Sequence, residues 1–199
     1  MQNQLVLASG SSVRAMLLRN AGLSLTVKPA RVDETSIKAA LLAEKASPRD
    51  IADALAEMKA RKVSDSFWDQ FVIGCDQVLD FQGTMISKAP DKGEALAILR
   101  SMQNQKHTLF SAVVIYFEGQ PVWRHIGQAR LHMRPSSDSY LKSYLERNWH
   151  SVQGAVGCYK LEEEGVRLFR KVEGDYFHVL GLPLLEILDY LAIRGVIEQ

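Results

Sequence analysis

Acidic, basic and hydroxyl side chains stand at three places in the 199-residue sequence where folded chains often bind ligands. The first is residues 5–14, where an apolar strand leads through Ser9-Gly10-Ser11-Ser12 into a predicted helix. Free backbone N–H groups and the helix dipole favour an anion there. Ser9 would add a hydroxyl, and Arg14 a guanidinium able to bind a phosphate through two nitrogens. Helix capping with a solvated arginine explains the segment equally well, and its spacing matches neither a P-loop nor a Rossmann fingerprint.

The second place is Asp76, which directly follows the wholly apolar residues 71–75. Such a run predicts a central strand covered on both faces. A carboxylate at the carboxyl end of that strand is well placed to hold a divalent cation or to take a proton from water. The alternative is an aspartate that caps the following turn.

The third place is the pair Asp33-Glu34, which follows Pro29 and precedes a predicted helix. Taken alone, the pair favours a helix cap and an acid placed on the helix dipole. If Glu34 faces Asp76, however, the two carboxylates would form a magnesium site.

Cationic residues are dispersed among these segments. Lys59 lies within a helix predicted to begin at Ser47-Pro48, where a solvated face is the usual environment. Lys88 follows a short strand and so faces a loop, while a lone His107 is more often structural than a ligand. The run Glu162-Glu163-Glu164 is typical of an exposed acidic turn. Together these residues are consistent with phosphate chemistry.

Composition limits the classes of partner. Lys plus Arg is 24 and Asp plus Glu is 23, so a protein that coats nucleic acid or an anionic membrane is not expected. No apolar run is long enough to span a bilayer, and the N-terminal segment lacks the features of a secretory signal. Cys75 and Cys158 are far apart and match no metal-binding spacing, which favours two buried thiols in a reducing cytoplasm.

The elements that must position these residues alternate without a strict βαβ period. We predict an α/β fold with a mixed, long and curved sheet, helices on its outer faces, and one domain over residues 1–199 or two lobes around a central cleft. The predicted strands are residues 5–8, 25–27, 71–75, a hairpin at 78–86, 107–117, 120–133 and 166–172. Predicted helices follow Ser12, Ser47 and Asp91 and cover residues 138–147 and 183–194.

Taken in order, these segments resemble the Maf family of nucleotide pyrophosphatases over residues 5–191. The matching motifs are Leu5-Val6-Leu7-Ala8-Ser9-Gly10-Ser11-Ser12-Val13-Arg14, Val32-Asp33-Glu34, Met58-Lys59-Ala60, Gly74-Cys75-Asp76-Gln77-Val78, Lys88 with Pro90-Asp91, His107, Glu173-Gly174-Asp175-Tyr176 and Gly181-Leu182-Pro183-Leu184. The chain departs from the family at Ser12 and Val13, where proline and a basic or aromatic residue are usual. Ala89 also separates Lys88 from its proline, and the later loop at residues 159–165 has fewer glycines than is usual.

The resemblance implies an ITPase-like fold with a central cleft, a homodimer, and hydrolysis of nucleoside triphosphates between the α- and β-phosphates with Mg²⁺ or Mn²⁺. By matched position, the catalytic residues would be Asp76, Lys59 and Lys88. The metal would be held by Glu34 and Asp76, and the substrate by Ser9, Arg14, Gln77 and Glu162.

Gln77 and Glu162 bear on which base is bound. One branch of the family has Thr and Gln at these places and resembles dTTP and UTP pyrophosphatases; the branch with Gln and Glu resembles 7-methyl-GTP pyrophosphatases. A carboxylate can accept hydrogen bonds from both N1–H and the N2 amino group of guanine, whereas thymine or uracil offers only N3–H. A pyrimidine would leave part of the carboxylate without a hydrogen bond, so the site would reject it. We therefore expect 7-methyl-GTP or a related purine. The alternatives are a dTTP/UTP pyrophosphatase and a nucleotide-binding regulator of septum formation.

Overall fold

The computed structural model describes residues 5–198, whose strands form one mixed sheet. The strands are β1 (Leu5–Leu7), β2 (Leu25–Val27), β3 (Phe71–Phe81), β4 (Thr84–Ile86), β5 (Lys106–Phe117), β6 (Gln120–Met133) and β7 (Phe169–Glu173). Their order is β2-β1-β3-β5-β6-β7, with β4 paired to β3. β1 is parallel to both its neighbours, and the other pairs are antiparallel.

Helices cover both faces of the sheet, as the alternating pattern predicts. They are α1 (Ser12–Asn20), α2 (Glu34–Ala43), α3 (Pro48–Ser64), α4 (Lys92–Met102), α5 (Asp138–Val152), α6 (Tyr176–Val179) and α7 (Leu184–Ile193). Short 3₁₀ turns cover Val156–Cys158 and Glu164–Leu168. The predicted starts at Ser47 and Asp91 are confirmed, since each side chain accepts a hydrogen bond from the backbone N–H three residues on.

Alternation along β1 explains why helices are needed on both faces. Leu5 and Leu7 pack on one face with residues of α1 and α7, whereas Val6 packs on the other with residues of α3. Successive strand side chains point to opposite faces, and both sets here are apolar. A third apolar cluster, around α4 and α5, covers the far ends of β3, β5 and β6.

β3 is longer than its neighbour β1, and this difference opens space in the sheet. The parallel pairing ends where Leu7 meets Ile73, and β4 joins β3 only from Leu79 onward. Within the described part of the chain, residues 74–78 of β3 therefore have β5 on one side and no strand on the other. Asp76 and Gln77 lie in this gap.

Several details of the predicted elements are wrong. Asp76 does not follow a strand that ends at Cys75, because β3 continues to Phe81 and Asp76 pairs with Ala112 of β5. The last strand begins at Phe169 and not at residue 166, since Val166 lies in a 3₁₀ turn.

Two other features complete the fold. Cys75 and Cys158 are free and buried as expected, and burial raises the pKa of each thiol to about 11. From residue 5 to residue 198, no helix combines the length and apolar character needed to cross a membrane.

Candidate active site

A cleft of about 580 Å³ opens at the gap in the sheet beside β3. A cavity of this size falls within the range of small-molecule sites. Its walls come from the start of α1, from α2 and α3, from the loop after β4, and from segments near residues 151–162 and 179–180. All the site residues predicted from the sequence line it: Ser9, Arg14, Glu34, Lys59, Asp76, Gln77, Lys88 and Glu162.

The N-terminus of α1 forms one wall of this cleft. Ser11 caps the helix by accepting a hydrogen bond from the Arg14 N–H. The Ser9 hydroxyl in turn accepts one from the Ser11 N–H, at 3.3 Å. A helix start of this kind presents backbone donors and a positive dipole end to the cleft, so it can bind an anion.

The guanidinium of Arg14 donates hydrogen bonds mainly to backbone carbonyl oxygens of the protein. Its Nε donates to the carbonyl oxygen of Gly181 at 2.7 Å, and one terminal nitrogen donates to the carbonyl of Cys75 at 3.0 Å and to Ser9 Oγ at 3.1 Å. Its side chain is buried, and only the second terminal nitrogen has no hydrogen bond among residues 5–198. In this conformation Nε and one terminal nitrogen are already engaged by the protein, and binding of a phosphate through two nitrogens stays a prediction. Arg14 ties α1, β3 and the segment before α7 together.

Lys59 lies between two carboxylates at the centre of the cleft. Its Nζ is 2.6 Å from Asp76 Oδ1 and 2.7 Å from Glu34 Oε1. Lys59 and Asp76 are both buried, so this ion pair is shielded from solvent. The other oxygen of Asp76, Oδ2, is buried and has no hydrogen-bond partner in the described residues. A buried carboxylate oxygen of this kind is available to a cation or a proton donor.

Glu34 is free to face the cleft because the preceding residue, Asp33, caps the N-terminus of α2. Asp33 caps α2, accepting from the backbone N–H of Ser36 at 3.1 Å and from its hydroxyl at 2.7 Å. Partial burial would raise the pKa of Glu34, but the hydrogen bond from Lys59 and the charges of Lys59, Lys38 and Lys88 outweigh it and lower the pKa. Glu34 is thus held as a carboxylate. Asp33 is therefore the helix cap, while Glu34 lines the cleft, and its role as a metal ligand stays a prediction.

Gln77 occupies the next position on β3, and its side-chain nitrogen is fully engaged. Nε2 lies 3.0 Å from Ser111 Oγ and donates to the carbonyl oxygens of His178 and Val179 at 3.1 and 3.0 Å. Ser111 donates to the same His178 carbonyl at 2.7 Å. Gln77 therefore fastens the end of α6 to β3, which leaves its Oε1 as the group able to accept from a ligand.

Exposed charges stand at the rim of the cleft. Lys88 is exposed, and its charge contributes to the lowered pKa of Glu34. Glu162 is an exposed residue of the cleft wall contributed by the 151–162 segment. Lys88 thus adds a cation at the mouth of the cleft, and Glu162 adds a carboxylate that can accept hydrogen bonds.

His107 lies outside the cleft lining, as the structural interpretation expects. Its ring is buried, with Nε2 2.7 Å from the hydroxyl of Tyr159. Burial, with a smaller contribution from the charge of His132, lowers the pKa of His107 from 6.5 to about 4. The ring is neutral near pH 7 and packs against Tyr159 and Phe169.

Three polar residues of the cleft were missed by the sequence reasoning. Lys38 follows Glu34 by one helical turn, so its helical spacing could have indicated it. Ser151 and Lys160 meet across the turn after α5, where Lys160 Nζ donates to Ser151 Oγ at 2.7 Å. No local sequence signal marks this second pair, because it depends on how the chain returns to the cleft.

The fold and the cleft define an α/β protein in which a helix N-terminus and a lysine paired with two carboxylates line one cleft. Residues 4–193 match the family described as Maf-like protein, and the chain belongs to that family.

Proteins named nucleoside triphosphate pyrophosphatase are similar to this chain: one from Ruegeria sp. (strain TM1040) is 60% identical over 100% of both chains, and one from Ruegeria pomeroyi is 63% identical over 98% of each. A protein from Rhizobium meliloti named 7-methyl-GTP pyrophosphatase is 41% identical over 100% of both chains. A crystal structure of a nucleoside-triphosphatase / dITP/XTP pyrophosphatase from Mycobacterium abscessus covers 96% of this chain and 94% of its own, at 16% identity and a TM-score of 0.43.

Proposed function

We propose that this protein hydrolyses nucleoside triphosphates between the α- and β-phosphates, releasing a nucleoside monophosphate and pyrophosphate. The observation that carries the proposal is the buried Lys59 bridging Asp76 and Glu34, in a cleft that the N-terminus of α1 also lines. The names of relatives at 60 and 63% identity support the same activity. A triphosphate carries several negative charges, and its transfer needs this charge to be met in place.

The triphosphate would be bound by groups that are free to face it. These are the Ser9 hydroxyl and backbone N–H groups at the start of α1, the free nitrogen of Arg14, and the ammonium groups of Lys59 and Lys88. Lys59 is positioned by α3, whereas Lys88 lies in an exposed loop and can move toward a ligand. Arg14 contributes chiefly by holding the helix start against β3.

The donor set fits a divalent cation, Mg²⁺ or Mn²⁺. Asp76 Oδ2 is buried without a partner in the described chain, and Glu34 Oε2 lies 3.7 Å from Lys38 Nζ. Mg²⁺ is commonly bound by one or two carboxylates together with substrate phosphates, so two protein ligands suffice. The ion would neutralise charge that develops on the phosphate oxygens.

Asp76 would be the reactive carboxylate of the site. Its Oδ1 is fixed by Lys59 at 2.6 Å, which orients the second oxygen. That oxygen can bind the cation or accept a proton from the attacking water. The burial of Asp76 keeps bulk water from competing for the same position.

Glu162 and Gln77 would select the base, with 7-methyl-GTP or a related purine as the preferred substrate. Glu162 can accept two hydrogen bonds from a guanine edge, and Gln77 Oε1 is free for a further one because Nε2 is engaged. The relative named 7-methyl-GTP pyrophosphatase, at 41% identity, supports this substrate class. Pyrimidine triphosphates such as dTTP and UTP are the alternative substrates within the family.

A panel of triphosphates tests the proposal directly. Purified protein with Mg²⁺ or Mn²⁺ is given 7-methyl-GTP, GTP, dTTP and UTP, and the products are identified by ³¹P NMR. We expect pyrophosphate and monophosphate, with 7-methyl-GTP cleaved fastest. Orthophosphate as the first product would contradict cleavage at the α–β bond, and faster cleavage of dTTP and UTP would contradict the purine preference.

A matched pair of variants tests the role of Glu162. Glu162→Gln should lower the rate ratio of 7-methyl-GTP to UTP about 10-fold or more, because the amide cannot accept both guanine hydrogen bonds. Glu164→Gln is the control, since Glu164 lies outside the cleft lining and is engaged by Arg147 and Asn148. An equal change of the ratio in both variants would remove Glu162 from the recognition of the base.

The resemblance to the family also implies a homodimer in the cytoplasm, and both remain proposals. Sedimentation of the purified protein tests the first, and fractionation of cells tests the second.

A further inference from the structure

A second cluster of metal-ligating side chains lies outside the cleft, where β6, α6 and α7 meet. His125 comes from β6, His178 from α6 and Glu186 from α7, and one ligand atom from each lies within 4.8 Å of the others. Glu186 Oε1 is 3.0 Å from His178 Nε2 and 3.5 Å from His125 Nε2. The mechanism proposed above uses none of these three side chains.

The separations between Glu186 and the two histidines suit a small tetrahedral cation. Zn²⁺ binds imidazole nitrogen and carboxylate oxygen at about 2.0 to 2.2 Å, which places neighbouring tetrahedral ligands about 3.3 to 3.5 Å apart. The separations of 3.0 and 3.5 Å lie close to that value. Small side-chain adjustments would therefore complete the geometry.

The fold holds the buried histidine of this cluster in place. A Cβ atom on Gly127 would come within 2.6 Å of three atoms of the His178 ring, so the ring can lie against β6 only because residue 127 is glycine. His178 is buried, and its side chain is only 10% exposed. On the other side, Trp123 stacks on His125 with ring centroids 6.1 Å apart. These contacts set both imidazoles before any ion arrives, which reduces the cost of ordering them.

Glu186 has unused binding capacity in this cluster. Its Oε1 faces both histidines, while Oε2 is buried and has no hydrogen-bond partner among the described residues. A buried carboxylate oxygen without a partner is costly, and a cation would satisfy it. Two imidazoles and a carboxylate favour a first-row transition metal, since Mg²⁺ prefers oxygen ligands and near-octahedral geometry.

We infer that His125, His178 and Glu186 form a Zn²⁺-binding site with one open coordination position. The side chains of His125 and Glu186 are 37% and 31% exposed, so an ion can enter from solvent. An open groove beside them is lined by His125, Glu186 and Asp189. The site is distinct from the Glu34 and Asp76 carboxylates of the cleft.

The site is linked to the cleft through the backbone of α6. The His178 carbonyl accepts from Gln77 Nε2 and Ser111 Oγ, and the next two residues, Val179 and Leu180, line the cleft. An ion on the His178 ring would restrain the turn that holds Gln77. The consequence for turnover depends on the function proposed above, whereas binding of the ion does not.

The test is a titration of the full-length, metal-free protein with Zn²⁺ in a large excess of Mg²⁺, followed by calorimetry. We expect one equivalent of Zn²⁺ to bind and the melting temperature to rise by about 5 to 10 °C at a free concentration about 100 times Kd. Co²⁺ as a probe should give the visible absorption of a nitrogen-ligated tetrahedral ion. Absence of binding, or displacement of Zn²⁺ by Mg²⁺, would overturn the site.

Variants separate this site from other places where Zn²⁺ could bind. His125→Asn changes a half-exposed side chain, so the fold should persist, and it should weaken Kd at least about 10-fold. His132→Asn is the matched control, because His132 lies on the same strand near a single carboxylate, Glu173 at 3.6 Å. Equal Zn²⁺ affinity in the wild type and His125→Asn would show that the ion binds elsewhere.

Discussion

Close packing of α3 on β3 at Gly74 holds Lys59 against Asp76, and the substitution Gly74→Ala tests this. A Cβ atom at residue 74 would lie 2.2 Å from the carbonyl oxygen of Ala56 and 2.5 Å from the Ala60 nitrogen. Both are backbone atoms of the helix that carries Lys59, so neither can rotate away. Ordinary van der Waals contact begins at 3.4 Å, whereas the added Cβ would lie 2.2 Å from the Ala56 oxygen. To restore that contact, α3 would have to move away from β3 by 1.2 Å, the difference between 3.4 and 2.2 Å.

This displacement predicts losses of both stability and activity. Overpacking of a filled core costs about 1 to 3 kcal/mol of unfolding free energy. The same shift would lengthen the Lys59–Asp76 contact from 2.6 Å to a distance at which the hydrogen bond is weak. Misplacement of a reacting group by about 1 Å can cost about 100-fold in rate, so we expect kcat/KM to fall by about that factor.

The assays are urea unfolding and pyrophosphate release, with Gly93→Ala as the matched control. Gly93 is an exposed residue of α4, and an added Cβ would meet only the Asp91 side chain, at 3.1 Å. Alanine there should be neutral or stabilising by up to about 1 kcal/mol. If Gly74→Ala matched Gly93→Ala in both assays, the helix would not be held by this contact.

Two further predictions concern other buried residues. Because the unfolded chain binds the His107 proton below pH 6.5 and the folded chain only below about 4, acidification through this window should destabilise the protein by about 3 kcal/mol. His107→Gln should flatten the dependence of unfolding free energy on pH between 6.5 and 4; an unchanged slope would contradict the assignment. Arg14→Lys should cost about 1 to 3 kcal/mol in urea unfolding and lower kcat/KM, because lysine cannot satisfy the carbonyls of Gly181 and Cys75 together. Unchanged stability would mean that these hydrogen bonds are replaceable.

Local pattern was sufficient to predict most elements of the fold. Caps such as Ser47 and Asp91, and the long strands β5 and β6, depend on residues close in sequence. The end of β3 was misplaced because a charged residue follows the apolar run at Asp76. A buried aspartate is tolerated within that strand since Lys59, seventeen residues earlier on another element, supplies its counter-charge. Such pairing across elements cannot be predicted from hydrophobic periodicity.

The site residues were predicted better than their contacts. The resemblance to the family selected residues that line one cleft, including Glu34 and Glu162. The resemblance did not indicate that Arg14 would donate hydrogen bonds to the carbonyl oxygens of Cys75 and Gly181. These residues lie 61 and 167 residues away from Arg14 in sequence. Hydrogen bonds over such separations follow from the packing of the whole chain and leave no local pattern.

The central claim is that Asp76 is the reactive carboxylate of a nucleoside triphosphate pyrophosphatase. The most direct measurement is the rate of pyrophosphate release from 7-methyl-GTP by the wild type, Asp76→Asn and Asp80→Asn. Asp80 lies on the same strand but binds the Gly83 N–H of the hairpin turn, so its variant controls for the loss of a charge. We predict that Asp76→Asn remains folded and loses at least about 100-fold in kcat, while Asp80→Asn stays within about 2-fold of the wild type. An Asp76→Asn protein that releases pyrophosphate at the wild-type rate would contradict the claim.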